Sequence, residues 1–409
     1  MELMYQYCAG IDVHKRMLAV CVSKWEQGRS HLEKWTTGTT TGELCGLGQR
    51  LREMEIEKVA MESTGVYWIL VWNVLEGAGL DLALVNPGHC KALRGKKTDL
   101  KDGERICELL QHGLLEGSFV PRQQIRALRE LTRYRTRLAQ RQATISNRIQ
   151  KVLEEGNIKL ASVVSDVLGA SGRAMLRGLL AGDRSPAELA RLAKGRVRAG
   201  EEQLAAAREG HLLEHHRFLL KQKLEDLEHT EDSLRSVERE LEKLAGPFED
   251  ALRRLDSIPG VNRTVAWSIL AELGDDMDQF PSFRHVVSWA GICPGNHETG
   301  GKRLKGTTRK GNRWLRRTLC EAAWAAKNKK DSYLRVQYQR LSARRGHKRA
   351  ILAVANTLLT IAYSLLRDQT EYREMGALYF DLRQKESLLK RSVKRLERLG
   401  YEVTLHPAA

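Results

Sequence analysis

The run Cys8-Ala9-Gly10-Ile11-Asp12-Val13-His14-Lys15-Arg16-Met17-Leu18-Ala19-Val20-Cys21-Val22 decides how the amino-terminal part of this chain folds. Cys8–Val13 and Met17–Val22 are short β-prone runs joined by a polar His14-Lys15-Arg16 turn, the pattern of a hairpin. Working outward, a β-prone segment surrounds Trp35, a helix-like stretch covers Gly42–Met54, a short strand covers Lys58–Met61, a helix starts at Val66 and another strand covers Leu80–Val85. Strands alternating with helices after an opening hairpin predict an α/β domain with a mixed sheet. Asn86-Pro87-Gly88 is a turn signal, and the sequence then stays polar until a helix begins near Asp99.

The remainder is helical in pattern. From Arg122 to Leu153, Ile125, Leu128, Leu131, Tyr134, Leu138, Ile145, Ile149 and Val152 recur at mostly three- and four-residue spacings, which predicts an amphipathic helix. Nine Lys or Arg face the single acid Glu130 over 122–153, so this helix is a candidate for phosphate contacts as well as for structure. Leu213, Leu220, Leu224, Leu227, Leu234, Val237, Leu241 and Leu244 keep heptad spacing, and a coiled-coil partner is expected. The stretch 156–210 gives weak signals, read as short helices, and Gly246-Pro247 marks a boundary. The expected organisation is 1–120 α/β, 121–246 helical and coiled coil, 247–370 mainly helical, and 371–409 a charged helical tail.

The 409 residues carry a formal charge of +17, and the sequence pI is near 9.6, which favours an anionic partner such as nucleic acid. The charge is concentrated: residues 301–350 hold 17 Lys or Arg against Glu321 and Asp331, interleaved with Trp314, Trp324, Tyr333 and Tyr338. Seven cysteines without a Cys-x-x-Cys pair fit reduced thiols in a cytosol, and no signal peptide is indicated. The apolar stretch Ala350–Leu366 is interrupted by Asn356, Thr357, Thr360 and Ser364, so a buried helix rather than a membrane span is expected.

Asp12 closes the first strand, Glu62 follows Val59-Ala60-Met61, and Asp99 and Asp102 share a helix face three residues apart. Singly, an Asp at a strand end or helix start is commonly structural. Together they follow the order of carboxylates in the ribonuclease H-like nuclease fold. Four carboxylates in one cleft repel and need cations, and hard oxygen ligands suit Mg²⁺ or Mn²⁺.

Near the carboxyl end, Ser257-Ile258-Pro259-Gly260-Val261 before Thr264–Leu273 resembles a helix-hairpin-helix, which makes Gly260 a candidate phosphate contact. Asn262 replaces the second glycine often seen there. The densest signal runs from Gly291 through Thr299, Gly300, Gly301, Lys302, Arg303, Arg309, Lys310, Asn312 and Arg313 to Arg316. It reads either as a phosphate-binding turn or as a nucleophile site, with Thr299 a hydroxyl set among cations. His211-Leu212-Leu213-Glu214-His215 has a metalloprotease spacing but reads as a solvated helix face.

At the carboxylate set and the Thr299 loop the chain resembles the DEDD-type transposases of bacterial insertion sequences, the insertion sequence one-ten family. The resemblance covers Ala9–Leu115 and Leu255–Leu366, through Gly-Ile-Asp-Val, Met-Glu-Ser-Thr-Gly and Lys-Thr-Asp-Leu-Lys-Asp in the first block. It implies a RuvC-like domain binding Mg²⁺ through Asp12, Glu62, Asp99 and Asp102, and a C-terminal transposase domain whose hydroxyl attacks DNA to form a covalent phosphoprotein. It also implies a homo-oligomer, dimer or tetramer, with the coiled coil as its expected seam, a structured guide RNA from the same element, and a bacterial cytoplasm with the nucleoid as the place of action. The family usually has Ser where this chain has Thr299, whose extra methyl crowds the approach to phosphorus. Two other readings of the same residues stay open: a RuvC-like endonuclease using metal-activated water, and an inactive nucleic-acid-binding relic.

Overall fold

The computed structural model describes residues 3–63, 65–86, 99–164, 166–181, 211–295, 298–303, 308 and 310–405; within them, the side chains of Asp99, Leu100, Val163, Glu298, Thr299, Lys302 and Arg303 are outside the description. They divide into two compact units, Met1–Gln123 and Gln124–Ala409. The helical region and the carboxyl-terminal helices, expected as separate domains, fall in one unit.

The first unit is built on β1 (Tyr7–Val13), β2 (Met17–Glu26), β3 (Arg29–Gly38), β4 (Lys58–Glu62) and β5 (Leu82–Val85), in the order β3-β2-β1-β4-β5. The first three strands are antiparallel, whereas β1 with β4 and β4 with β5 are parallel. This mixed order is compatible with a ribonuclease H-like domain. The β2–β3 turn uses Gln27 and Gly28, both at positive φ (50° and 80°), as a tight two-residue hairpin requires. β3 is longer than the sequence pattern suggests because most of its side chains are exposed, so it is held by its backbone ladder to β2 rather than by apolar alternation.

Alternate residues of β1 face opposite layers. Ala9, Ile11 and Val13 pack with residues of α1 (Thr41–Glu53) and α2 (Trp68–Gly77), among them Leu44, Leu51, Val71 and Leu75. Cys8 lies on the other face with Ile106, Cys107 and Leu110 of α3 (Asp99–Gln111). Burial on both faces is why β1 reads as a nearly continuous apolar run. A capping box fixes the start of α1: Thr40 accepts from the Glu43 amide, and the Glu43 carboxylate accepts from the Thr40 amide.

In the second unit, α4 (Gln123–Glu155), α5 (Ala170–Ala181) and α6 (Glu214–Ala245) share one apolar cluster. Leu220, Leu224 and Leu227 of α6 pack with Ile145, Ile149 and Val152 of α4 and with Met175 and Leu176 of α5. Arg135 pairs with Glu238 and Gln142 with Glu231, so α4 and α6 run antiparallel. Leu220, Leu224 and Leu227 thus find partners inside the chain, in a three-helix pack, whereas Leu213 and Leu244 are exposed. Part of the partner expected for these heptads is supplied by α4 and α5 of the same chain. Of the stretch read as short helices, Leu160–Val163 and Ala170–Ala181 are helical, and 182–210 lie outside the described residues.

The rest of this unit contains α7 (Glu249–Asp256), α8 (Arg263–Leu273), α9 (Phe283–Trp289), a hairpin of β6 (Glu298–Thr299) and β7 (Lys302–Arg303), then α10 (Arg313–Ala326), α11 (Tyr333–Arg345) and α12 (His347–Asp368). α12 is the one described helix long and apolar enough to cross a membrane. Its Ile351, Val354, Leu358, Leu359 and Tyr363 are buried against α7, α9, α10 and α11, as a core helix. The tail forms α13 (Tyr379–Arg383) and α14 (Lys385–Glu397), neither with a buried residue.

Candidate functional site

The carboxylates are placed by register. β1 pairs with β4 through Ile11 and Met61, so Asp12 and Glu62, one residue further on, stand at matching positions on neighbouring parallel strands. Both have the parity of Cys8 and Ala60, the face that α3 covers. α3 runs antiparallel to β1: the Met4 amide donates to the Gln111 carbonyl at 2.9 Å, the Cys8 and Cys107 sulfurs are 3.8 Å apart, and Gly10 lies against Gly103 and Cys107. Continuing that progression sets Asp12 level with the first turns of α3, which carry Asp99 and Asp102.

Glycine makes this close approach possible. A Cβ on Gly10 would sit 2.4 Å from both the Cys107 nitrogen and the Gly103 oxygen, and one on Gly103 would sit 3.0 Å from the Ala19 oxygen. The helix therefore rests almost backbone to backbone on β1. Below it the thiols of Cys8, Cys21 and Cys107 are packed together, and the hydrogen bond to Cys21, then that to Cys8, and burial hold Cys107 protonated, well above the usual thiol range.

Asp12 is only 6% exposed, and its carboxylate is 3.1 Å from His14 Nε2. His14 was absent from the sequence candidates, although its signal is visible: residues two apart at a strand end share a face. Glu62 and Asp102 are half-buried. The all-carboxylate donor chemistry of Asp12, Glu62 and Asp102 fits a hard divalent cation. Among the described residues, however, no three His, Cys, Asp or Glu side chains come together closely enough to hold a metal ion. The Asp99 side chain is not among them. The metalloprotease-like spacing forms no site either, since α6 begins at Glu214 and His211 precedes it.

In the second unit the Gly-rich loop is a hairpin. Thr299 pairs with Lys302 and Glu298 with Arg303, across Gly300 and Gly301 at φ 56° and 74°. The two glycines supply the positive φ values that a type I′ turn needs. The side chains of Thr299, Lys302 and Arg303, and all of Arg309, lie outside the described residues.

Three residues read as phosphate contacts have structural work. Gly260, at φ 84°, packs on α10: a Cβ there would be 2.5 Å from the Ala322 oxygen and 2.6 Å from the Ala326 nitrogen. Asn312 caps α10, its side-chain oxygen accepting from the Trp314 and Leu315 amides at 3.0 and 3.1 Å. Arg316 donates to the Gly291 carbonyl at 3.4 Å. Lys310 and Arg313 are exposed. Asn262, which stands where a second glycine was expected, caps α8 by accepting from the Val265 amide at 3.0 Å.

Sequence reading also missed Glu272, a lone acid in the apolar run of α8. It is 2% exposed and accepts from Arg133 Nε and Nη2 at 2.7 and 2.9 Å and from Asn312 Nδ2 at 2.6 Å, with Arg129 Nε at 3.5 Å. Burial pulls the Arg129 guanidinium down to about 10. Glu272 thereby ties α4, α8 and the start of α10 together. The one-sided charge of α4 is used in the same way, with Arg135 on Glu238 and Arg141 on Asp226.

Comparison with known proteins agrees with both blocks. Residues 9–158 match the family model of the DEDD transposases of IS110, and residues 252–339 match that of the transposase IS116/IS110/IS902 family. The transposase for insertion sequence element IS1111A of Coxiella burnetii is 27% identical over 378 residues, 89% of this chain and 90% of that protein. A probable family 20 transposase of Pseudomonas aeruginosa is 29% identical over 77% of this chain and 85% of its own length. An insertion element IS110 protein of Streptomyces coelicolor is 35% identical over 29% of each chain. The chain belongs to the IS110 family of transposases.

Proposed function

We propose that the chain cuts and rejoins DNA by phosphodiester exchange, with Asp12, Glu62, Asp99 and Asp102 holding Mg²⁺ or Mn²⁺ and the Thr299 hydroxyl as nucleophile. The observation that carries this reading is the β1–β4 register, which sets Asp12 beside Glu62 on the face covered by α3. When bound, divalent ions would stabilise charge on the attacking and leaving oxygens. His14 holds the Asp12 carboxylate in place. Thr299 stands next to a tight turn, its backbone paired with that of Lys302, in a stretch of sequence rich in the cations that bind phosphate.

In the exchange a bond forms between Thr299 Oγ1 and phosphorus, and the bond from phosphorus to a sugar oxygen breaks. The threonine proton ends on the released sugar hydroxyl. Attack by a second strand's hydroxyl reverses these steps and frees Thr299, so no bond energy is lost to water. The carboxylates and Thr299 belong to different compact units, and the chain acts on DNA as a homo-oligomer, with a structured RNA from the same element as the guide to sequence.

Asp12→Asn is the test. Removing one charged ligand is expected to lower strand exchange on DNA carrying the element's ends by about a thousandfold, on the order of 4 kcal/mol of transition-state stabilisation. Salt-sensitive DNA binding should persist, because it rests on the basic second unit. Strand exchange that survives Asp12→Asn would refute the carboxylate assignment.

A further inference from the structure

A cavity of about 710 Å³ opens in the second unit between α9 and the start of α10, lined by residues that include Arg133, His285, Trp289, Lys310, Arg313 and Trp314. It is built by tight packing. A Cβ on Gly311 would lie 2.4 Å from the Gly291 nitrogen, and the Asn312 amide donates to the Trp289 carbonyl at 3.2 Å. Through its cap and its bond to buried Glu272, Asn312 fixes both tryptophan-bearing segments. The walls are therefore set before any ligand arrives.

The electrostatics are one-sided. The guanidinium carbons of Arg313, Arg137 and Arg133 lie 5.0, 5.5 and 5.7 Å from the centre of the Trp314 ring. Glu272 answers Arg133, whereas Arg137, Arg313 and Lys310 have no acidic partner among the described residues. Cations gathered around one indole repel each other, and a phosphate relieves that repulsion. Aromatic walls beside a phosphate site offer stacking to a base whose face is free, which a duplex does not present.

We infer that this cavity binds one unpaired nucleotide of a DNA or RNA strand, its phosphate on Arg313 and Lys310 and its base against the Trp289–Trp314 wall. This deepens the proposed nucleic-acid chemistry and rests on it for the presence of a strand. It is independent of the carboxylates and of Thr299.

The experiment measures equilibrium binding of short pyrimidine oligonucleotides to the full chain, as DNA and as RNA, each single-stranded and as a duplex. Trp314→Ala should weaken single-strand binding by about tenfold, the effect of losing one stacked base, and change duplex binding by less than about twofold. Trp314→Phe should restore most of the affinity. Lys310→Gln, at an exposed position that folding does not need, should lower the salt slope of single-strand binding by about one. A Trp314 effect with DNA alone, RNA alone or both identifies the strand and supports the site. Equal losses for single strands and duplexes, or unchanged single-strand binding in Trp314→Ala, would overturn it while leaving strand exchange as the test of the broader reading. A wild-type chain that bound no oligonucleotide would overturn both.

Discussion

Gly10→Ala is expected to destabilise the first unit by about 3 kcal/mol, the upper range for overpacking a tight core. The added Cβ would lie 2.4 Å from backbone atoms of Gly103 and Cys107, neither of which can swing aside as a side chain can. α3 must then lift from β1, carrying Asp99 and Asp102 away from Asp12 and Glu62. A displacement of about 1 Å is enough to cost on the order of a hundredfold in rate. Folded Gly10→Ala should therefore lose strand exchange more than its stability loss explains. Gly103→Ala is the graded control, because its Cβ meets the Ala19 oxygen at 3.0 Å and asks for a smaller shift. Denaturant midpoints and strand-exchange rates measured for both variants check the order. Wild-type stability and rate in Gly10→Ala would contradict the backbone contact.

Glu272→Ala is expected to cost the second unit about 3–5 kcal/mol, the range for removing one partner of a buried ion pair. Burial already works against the Arg129 charge, and Glu272 is the acid that opposes it. Removing the carboxylate leaves Arg129 and Arg133 facing each other and strips Asn312 of its acceptor. Glu272→Gln retains an acceptor of the same shape and should lose less. Urea unfolding of the two variants separates the charge from the shape. Equal, small losses in both would show that the cluster is not the tie between α4, α8 and α10.

What the sequence revealed and what it hid have physical reasons. β1, β2, β4 and β5 are legible because strands buried on one or both faces read as apolar runs. The extent of β3 is not, because Leu32 and Trp35 are almost its only large apolar residues and the strand depends on its neighbour's ladder. Asp12 and Glu62 could be picked from their positions at strand ends, but that they stand side by side depends on a parallel register between β1 and β4, a non-local pairing that no local pattern encodes. Heptad spacing located the apolar seam of α6 and was silent on what packs there, which for Leu220, Leu224 and Leu227 is α4 and α5. Gly260 was read from its likeness to a helix-hairpin-helix turn and Asn312 by charge context, yet an Asn directly before an apolar-periodic run also signals a helix cap. The apolar pattern around Glu272 hides its partners, since Arg129 and Arg133 are remote in sequence.

The most direct test of the central claim is to incubate the full chain with end-labelled DNA carrying the element's ends and Mg²⁺, then to look for label that stays with the protein under denaturing conditions. The account predicts a labelled adduct whose site of attachment maps to Thr299, absent in Thr299→Ala and in Asp12→Asn. DNA cut in a metal-dependent way with no label on the protein, and cut equally well by Thr299→Ala, would contradict it and would make water the nucleophile.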